Sequence, residues 1–166
     1  QVTKWPSIGS SETDGEVECL TRSGVGADLL WRVVVMSQQS DLYDDGSRYA
    51  SPKVTHIRIN GTKQVLQTRG GEVIMLEGEN FGGDDCMSYF DATLADVKLV
   101  VTYGGANARR YTAVSCAAIS HQEIQCFSAH GRGWNHLMQV TVAGVVGPVS
   151  TSSIRYATPT ITSIEG

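Results

Sequence analysis

The apolar residues of this chain follow a period of two or fall in short runs closed by turn residues, and no window carries a convincing helical stripe. From residue 52 onward the pattern predicts seven strands, at 53–59, 72–77, 97–103, 110–116, 123–127, 137–142 and 153–157. Gly70-Gly71, Gly82-Gly83, Gly104-Gly105, Gly131 and Gly133 punctuate them and supply the turn conformations that other residues resist. Seven short strands in about 100 residues favour two packed antiparallel sheets, so the expected class is all-β.

The chain also repeats itself. At an offset of 107 residues, Glu16, Cys19, Gly24, Gly26, Leu30, Val33, Val35, Arg48, Tyr49, Ala50, Pro52, Thr55 and Ile57 meet identical residues, thirteen matches in the ungapped stretch 16–57. They fall on a cysteine, turn glycines and alternating apolar positions, where a β-unit has least freedom. Pro52 and Pro159 then open successive units. Residues 52–158 are expected to form one complete unit, 1–51 the second half of a preceding one, and 159–166 the first strand of a following one.

Composition narrows the picture further. Charged residues are 18% of the chain and the formal net charge is -4, with Lys and Arg scattered, so no basic stripe exists to neutralise a nucleic-acid backbone. No apolar run approaches the roughly 20 residues that span a bilayer, and no membrane insertion is expected within this chain. The sequence holds no G-x-S-x-G elbow, P-loop or G-x-G-x-x-G fingerprint, so no enzymatic activity and no cofactor are expected.

Two stretches carry a family pattern. Pro52-Lys53-Val54-Thr55-His56-Ile57 followed by Gly70-Gly71-Glu72-Val73-Ile74-Met75-Leu76-Glu77-Gly78-Glu79-Asn80-Phe81-Gly82 resembles the opening of the IPT/TIG repeat. Cys116, Ile124, Cys126, Gly131, Gly133, Leu137, Val140 and Val142 resemble its closing half. The resemblance implies an immunoglobulin-like β-sandwich in tandem, of the disulfide-bearing kind found in long arrays on large cell-surface proteins, including fibrocystin-like, algal and protist ones. It is weak for function, because so widely shared a fold does not fix an activity.

Cys116 and Cys126 sit on successive strands of a hairpin and are expected to bridge, whereas Cys116 has no earlier counterpart, since Gly9 stands 107 residues before it. Cys19 and Cys86 stay unassigned: they bridge adjacent units, pair with neighbouring chains, remain free, or are small buried apolar side chains. Asn60-Gly61-Thr62 is an N-glycosylation sequon, which makes glycans expected covalent partners.

Other polar groups are read blandly. Cys116, Cys126, His130 and His136 fit no zinc spacing, and Asp44-Asp45 and Asp84-Asp85 are solvated turn carboxylates rather than calcium ligands. His56, His121, His130 and His136 read as surface or loop residues. Trp134 is either an anchor for a neighbour or a sugar, or, with the greater weight, a lid on the end of the core; Trp31 belongs to core or to a contact between units. Trp134, Ile161 and Ile164 are the candidate interface residues. The expected role is a structural repeat of an extracellular glycosylated filament or stalk, joined head to tail with neighbouring copies or adjacent repeats, strand donation included. The alternative is a spacer or ligand-binding repeat of a cell-surface receptor or adhesin.

Overall fold

The computed structural model describes residues 17–59, 65–82 and 99–166, and no helix occurs among them. Four short strands come first: β1 (Leu29–Trp31), β2 (Val34–Val35), β3 (Gln38–Gln39) and β4 (Tyr43–Ser47). β1 pairs antiparallel with β4, and β2 with β3. The next five are β5 (Lys53–Ile59), β6 (Val65–Leu66), β7 (Val73–Glu79), β8 (Leu99–Tyr103) and β9 (Tyr111–Thr112). Then follow β10 (Val114–Ser120), β11 (Glu123–Phe127), β12 (His136–Val142), β13 (Val145–Val146) and β14 (Ser153–Tyr156). β5 to β14 make two sheets, one in the order β10-β11-β7-β5 and the other β6-β14-β12-β8-β9, with β13 added to β12. All pairings are antiparallel except β14 with β6.

The alternation along the strands turns one face of each sheet inward. His136, Met138, Val140 and Val142 are buried on β12 while the residues between them are half-buried. Val54, Ile57 and Ile59 of β5, Ile74 and Leu76 of β7, Val101 and Tyr103 of β8, and Ile124 and Cys126 of β11 join them in one apolar cluster. A full burial of one such aliphatic side chain contributes about 1.5–3 kcal/mol, and this cluster holds both sheets together as a β-sandwich would. Outside, Arg58 on β5 pairs with Glu77 across the ladder and with Glu123 at 3.2 Å, a polar strip facing water.

Several expectations need correction, among them that residues 159–166 form a strand, since none occurs after β14. The strand expected over 110–116 is broken at Ala113, whose amide donates to the Val101 carbonyl, so that β9 stays on β8 while β10 pairs with β11 in the other sheet. Ser115, with φ 49°, sits within the irregular pairing that lets β10 leave in its new direction. β6 and β13 were not expected, because a two-residue strand is too short to show a period. His136, expected on the surface or in a loop, is buried on β12 with 2% of its surface exposed.

The 107-residue offset is also an offset in backbone geometry. Tyr49 donates its amide to the Gly26 carbonyl, and Tyr156 donates to Gly133, both at 2.9 Å. Val34 and Val35 pair with Gln39 and Gln38 as Thr141 and Val142 pair with Val146 and Val145. Leu29 faces Ser47 as His136 faces Ile154. The left-handed residues recur as well: Gly26, Asp28, Met36 and Ser37 at φ 109°, 54°, 45° and 73°, then Gly133, Asn135, Ala143 and Gly144 at 103°, 54°, 47° and 80°.

Cover is what separates the two stretches. Met138, Val140 and Val142 are 0%, 1% and 4% exposed, and their counterparts Trp31, Val33 and Val35 are 41%, 47% and 61% exposed. At the other end, Val54 and Ile57 of β5 are 5% and 4% exposed, whereas Ile161 and Ile164 in the matching segment are 80% and 85%.

Candidate interaction site

The turn between β11 and β12 organises the chemistry of the sandwich end. Ala129 is held from both sides: its amide donates to the Tyr103 hydroxyl at 2.9 Å and its carbonyl accepts from Tyr156 at 2.7 Å. The two hydroxyls lie 2.7 Å apart, and since Tyr156 spends its proton on Ala129, Tyr103 donates to Tyr156. Burial, and for Tyr156 next the Tyr103 hydroxyl, pushes both phenols above their ordinary value. They are structural hydrogen-bonding groups and stay protonated.

Gly131 belongs to this device, because a Cβ there would lie 2.6 Å from the Tyr156 ring. Gly24 has the same relation to Tyr49, whose hydroxyl donates to Arg22 at 2.7 Å as Tyr156 does to Ala129. The identical glycines and tyrosines of the repeat are thus explained as one clamp built twice.

Around the second clamp, Tyr111 packs edge-on to His136 and Tyr156, with centroids 5.5 and 5.7 Å apart. Arg110 lies 5.5 Å over the Tyr111 ring. His136 Nε2 is 3.1 Å from the Arg132 carbonyl, which can only accept, so Nε2 carries the proton. Nδ1 is then a bare acceptor, buried with no hydrogen-bond partner among the described residues. Burial holds the imidazole below its usual range.

Cys116 and Cys126 are joined by a disulfide, their Cα atoms 4.1 Å apart across β10 and β11, which removes both from any metal-ligand set. Among the described residues no group of His, Cys, Asp and Glu is placed to hold a metal. Cys19 is free and exposed, and its counterpart is the buried, bridged Cys126. Asp44 and Asp45, expected in a turn, lie exposed on β4 and accept from the amides of Gly46 and Ser47; the Ser47 hydrogen bonds hold Asp45 below its ordinary value. His56, His121 and His130 are exposed. Asn60, Cys86 and Asp84-Asp85 lie outside the described residues.

No family model, curated protein or solved structure matches the chain.

The surface feature that remains is a groove beside the clamp. Trp134 is 80% exposed, so the reading of a lid on the core is overturned. Gly133 and Asn135, both left-handed, bracket it and turn its side chain outward. With Val65, Arg155 and Pro159 it lines an open groove of about 900 Å³ at the end of the sandwich from which residues 158–166 leave. Trp31, 41% exposed, is not core: its indole donates to the Ser47 hydroxyl on the strand it pairs with. The sequence named Trp134 but not the groove, since Val65 and Pro159 come to it through β6 and through the exit of the chain.

Proposed function

We propose that the chain is a structural repeat of an extracellular or cell-surface array, built from immunoglobulin-like sandwiches of the IPT/TIG kind joined head to tail. On this reading residues 52–158 are a complete unit, 1–51 the second half of another, and 159–166, which form no strand here, the segment that matches the first strand of a third. The observation that carries this is the clamp built twice, Arg22-Gly24-Tyr49 and Ala129-Gly131-Tyr156, with the same hydrogen bond at the same spacing. A unit that recurs at a fixed interval and presents the same ends propagates rather than closes.

The strand order supports the fold assignment. With β5, β7, β8, β10, β11, β12 and β14 taken as A to G, the sheets run A-B-E-D and C-F-G, as in a constant-type immunoglobulin domain. The Cys116–Cys126 bond supports an oxidising compartment. On this reading the protein performs no catalysis, and its partners are copies of itself or adjacent repeats and the glycan on Asn60.

Electron microscopy of the native material, with mass spectrometry of its peptides, tests the proposal. Fibres with an axial repeat of one or two sandwiches and glycan on the Asn60 peptide are expected. Particles that stay dispersed at high concentration would overturn the filament and favour a spacer of a receptor or adhesin.

A further inference from the structure

Within the chain, one joint between successive stretches is already closed. Val25 packs against the core of the sandwich, and Gly26 approaches the β12–β13 turn, where a Cβ would stand 3.7 Å from that of Ala143. The Asn80 side-chain amide donates to the Ser51 carbonyl and fastens the connection into β5. Moved forward by one repeat, the same joint would place Arg132 and Gly133 against the turn of the next unit. Both are exposed. Moved back by one repeat, the turn that corresponds to Ala143-Gly144 is Met36-Ser37, and Met36 is 95% exposed.

The Gly133–Trp134 face and the Met36 turn thus correspond, one repeat on and one repeat back, to the two sides of the joint that the chain contains in closed form. We infer that a second copy docks head to tail by that same joint, its Met36 turn seated in the groove beside Gly133 and Trp134. The inference rests on the array reading above and names its contact. The residue after the glycine is Ala27 in the closed joint and Trp134 in the open one, and the turn residue is Ala143 in the closed and Met36 in the open. The joint between copies thus exchanges two alanines for a tryptophan and a thioether, a pair with large apolar area and a favourable sulfur–aromatic contact.

The same placement accounts for the other uncovered apolar residues. The segment 159–166 of the first copy and the β1–β4 stretch of the second then belong to one unit. Ile161 and Ile164 fall over Trp31, Val33 and Val35, as Val54 and Ile57 share a core with Met138, Val140 and Val142. The fit has one difference. A Cβ on Gly147 would lie 2.0 Å from the Pro52 carbonyl oxygen, and Ser40 occupies the corresponding position, so the donated strand sits farther from its turn than β5 does. This leaves the Trp134–Met36 contact as the principal anchor.

Cysteine cross-linking of the 166-residue chain tests this. With Cys19→Ser as background, Met36→Cys and Trp134→Cys are combined, and Val146→Cys with Trp134→Cys serves as the control pair. Mild oxidation is expected to give a ladder of multimers in which peptide mapping finds position 36 bonded to position 134 of another copy. In sedimentation, Trp134→Ser and Met36→Ser in the otherwise unaltered chain should each weaken self-association by roughly tenfold or more, the effect of losing a central anchor. An unchanged melting transition would show that these exposed substitutions leave the fold intact. Links between 36 and 134 no more frequent than in the control pair would overturn the joint, as would 134–134 links, which mean a symmetric dimer. Chains that remain monomeric while Trp134 binds an oligosaccharide would also overturn it and assign the groove to sugar. Native fibres without 36–134 links sink the joint and spare the array; 36–134 links with dispersed native particles do the reverse.

Discussion

Residues 22–51 and 129–158 share a hairpin ladder, its turn and a tyrosine clamped over a glycine, although Leu30 faces Asp44 where its counterpart Leu137 faces Ser153, yet only the second stretch contributes strands to a core. In the second, a facing sheet buries Met138, Val140 and Val142 and a disulfide ties the preceding strands; in the first, Trp31, Val33 and Val35 face outward and Cys19 has no bonded partner. The comparison separates two causes that a whole domain confounds. Local turn chemistry, set by left-handed residues and the glycine–tyrosine contact, shapes the hairpins. Burial adds the free energy that makes them stable.

Substitutions sharpen that separation, and the largest effect belongs to the disulfide. Reducing Cys116–Cys126 should destabilise the sandwich by about 2–3 kcal/mol, as expected for so short a closed loop. Urea unfolding with and without reductant measures this. Next, Gly131→Ala forces a Cβ against the Tyr156 ring and should cost about 1–3 kcal/mol as an overpacked site, whereas Gly24→Ala should scarcely move the global transition. If both cost the same, the first clamp is also part of a cooperative core.

Tyr103→Phe takes the acceptor from the Ala129 amide and should cost about 1–3 kcal/mol in chemical denaturation, while Tyr49→Phe, which loses only a bond to the Arg22 carbonyl, should cost about 1 kcal/mol or less. His136 gives a subtler contrast. Its folded-state pKa is depressed by burial, so its neutral form stabilises the fold above the unfolded value of about 6.5, and that contribution is lost as pH falls through the folded value. Thermal melts should therefore fall on acidification below about pH 6.5. His136→Leu, which installs the residue found at Leu29, should remove that part of the fall. The smallest expected effect is that of Trp134→Ala on the melt, within about 0.5 kcal/mol for an exposed side chain.

Much of this was legible in the sequence, for reasons that particular residues make plain. The repeat showed because Tyr49 and Tyr156 lie so close over Gly24 and Gly131 that a Cβ at either glycine would meet the ring. The all-β class showed because the long strands, β7, β11 and β12, have burial patterns that follow their alternation. The crossing at Ala113 and the β6–β14 pairing did not show. Each is decided by a partner distant in sequence, and neither leaves a local period. His136 was misplaced for a related reason: an imidazole reads as polar, but its apolar ring faces were matched by Tyr103, Tyr111 and Tyr156, contributed by three other strands.

The parallel pairing of β14 with β6 carries a mechanical consequence. In an array of the proposed kind, tension would enter a unit near Pro52 and leave near Thr158, drawing β6 and β14 in opposite directions. Because the two strands run in the same direction, Arg155–Val65, Tyr156–Leu66 and the Ala157 amide on the Leu66 carbonyl would be strained together in shear, instead of opening one after another from an end. This two-pair parallel ladder would then act as the latch of the sandwich under load.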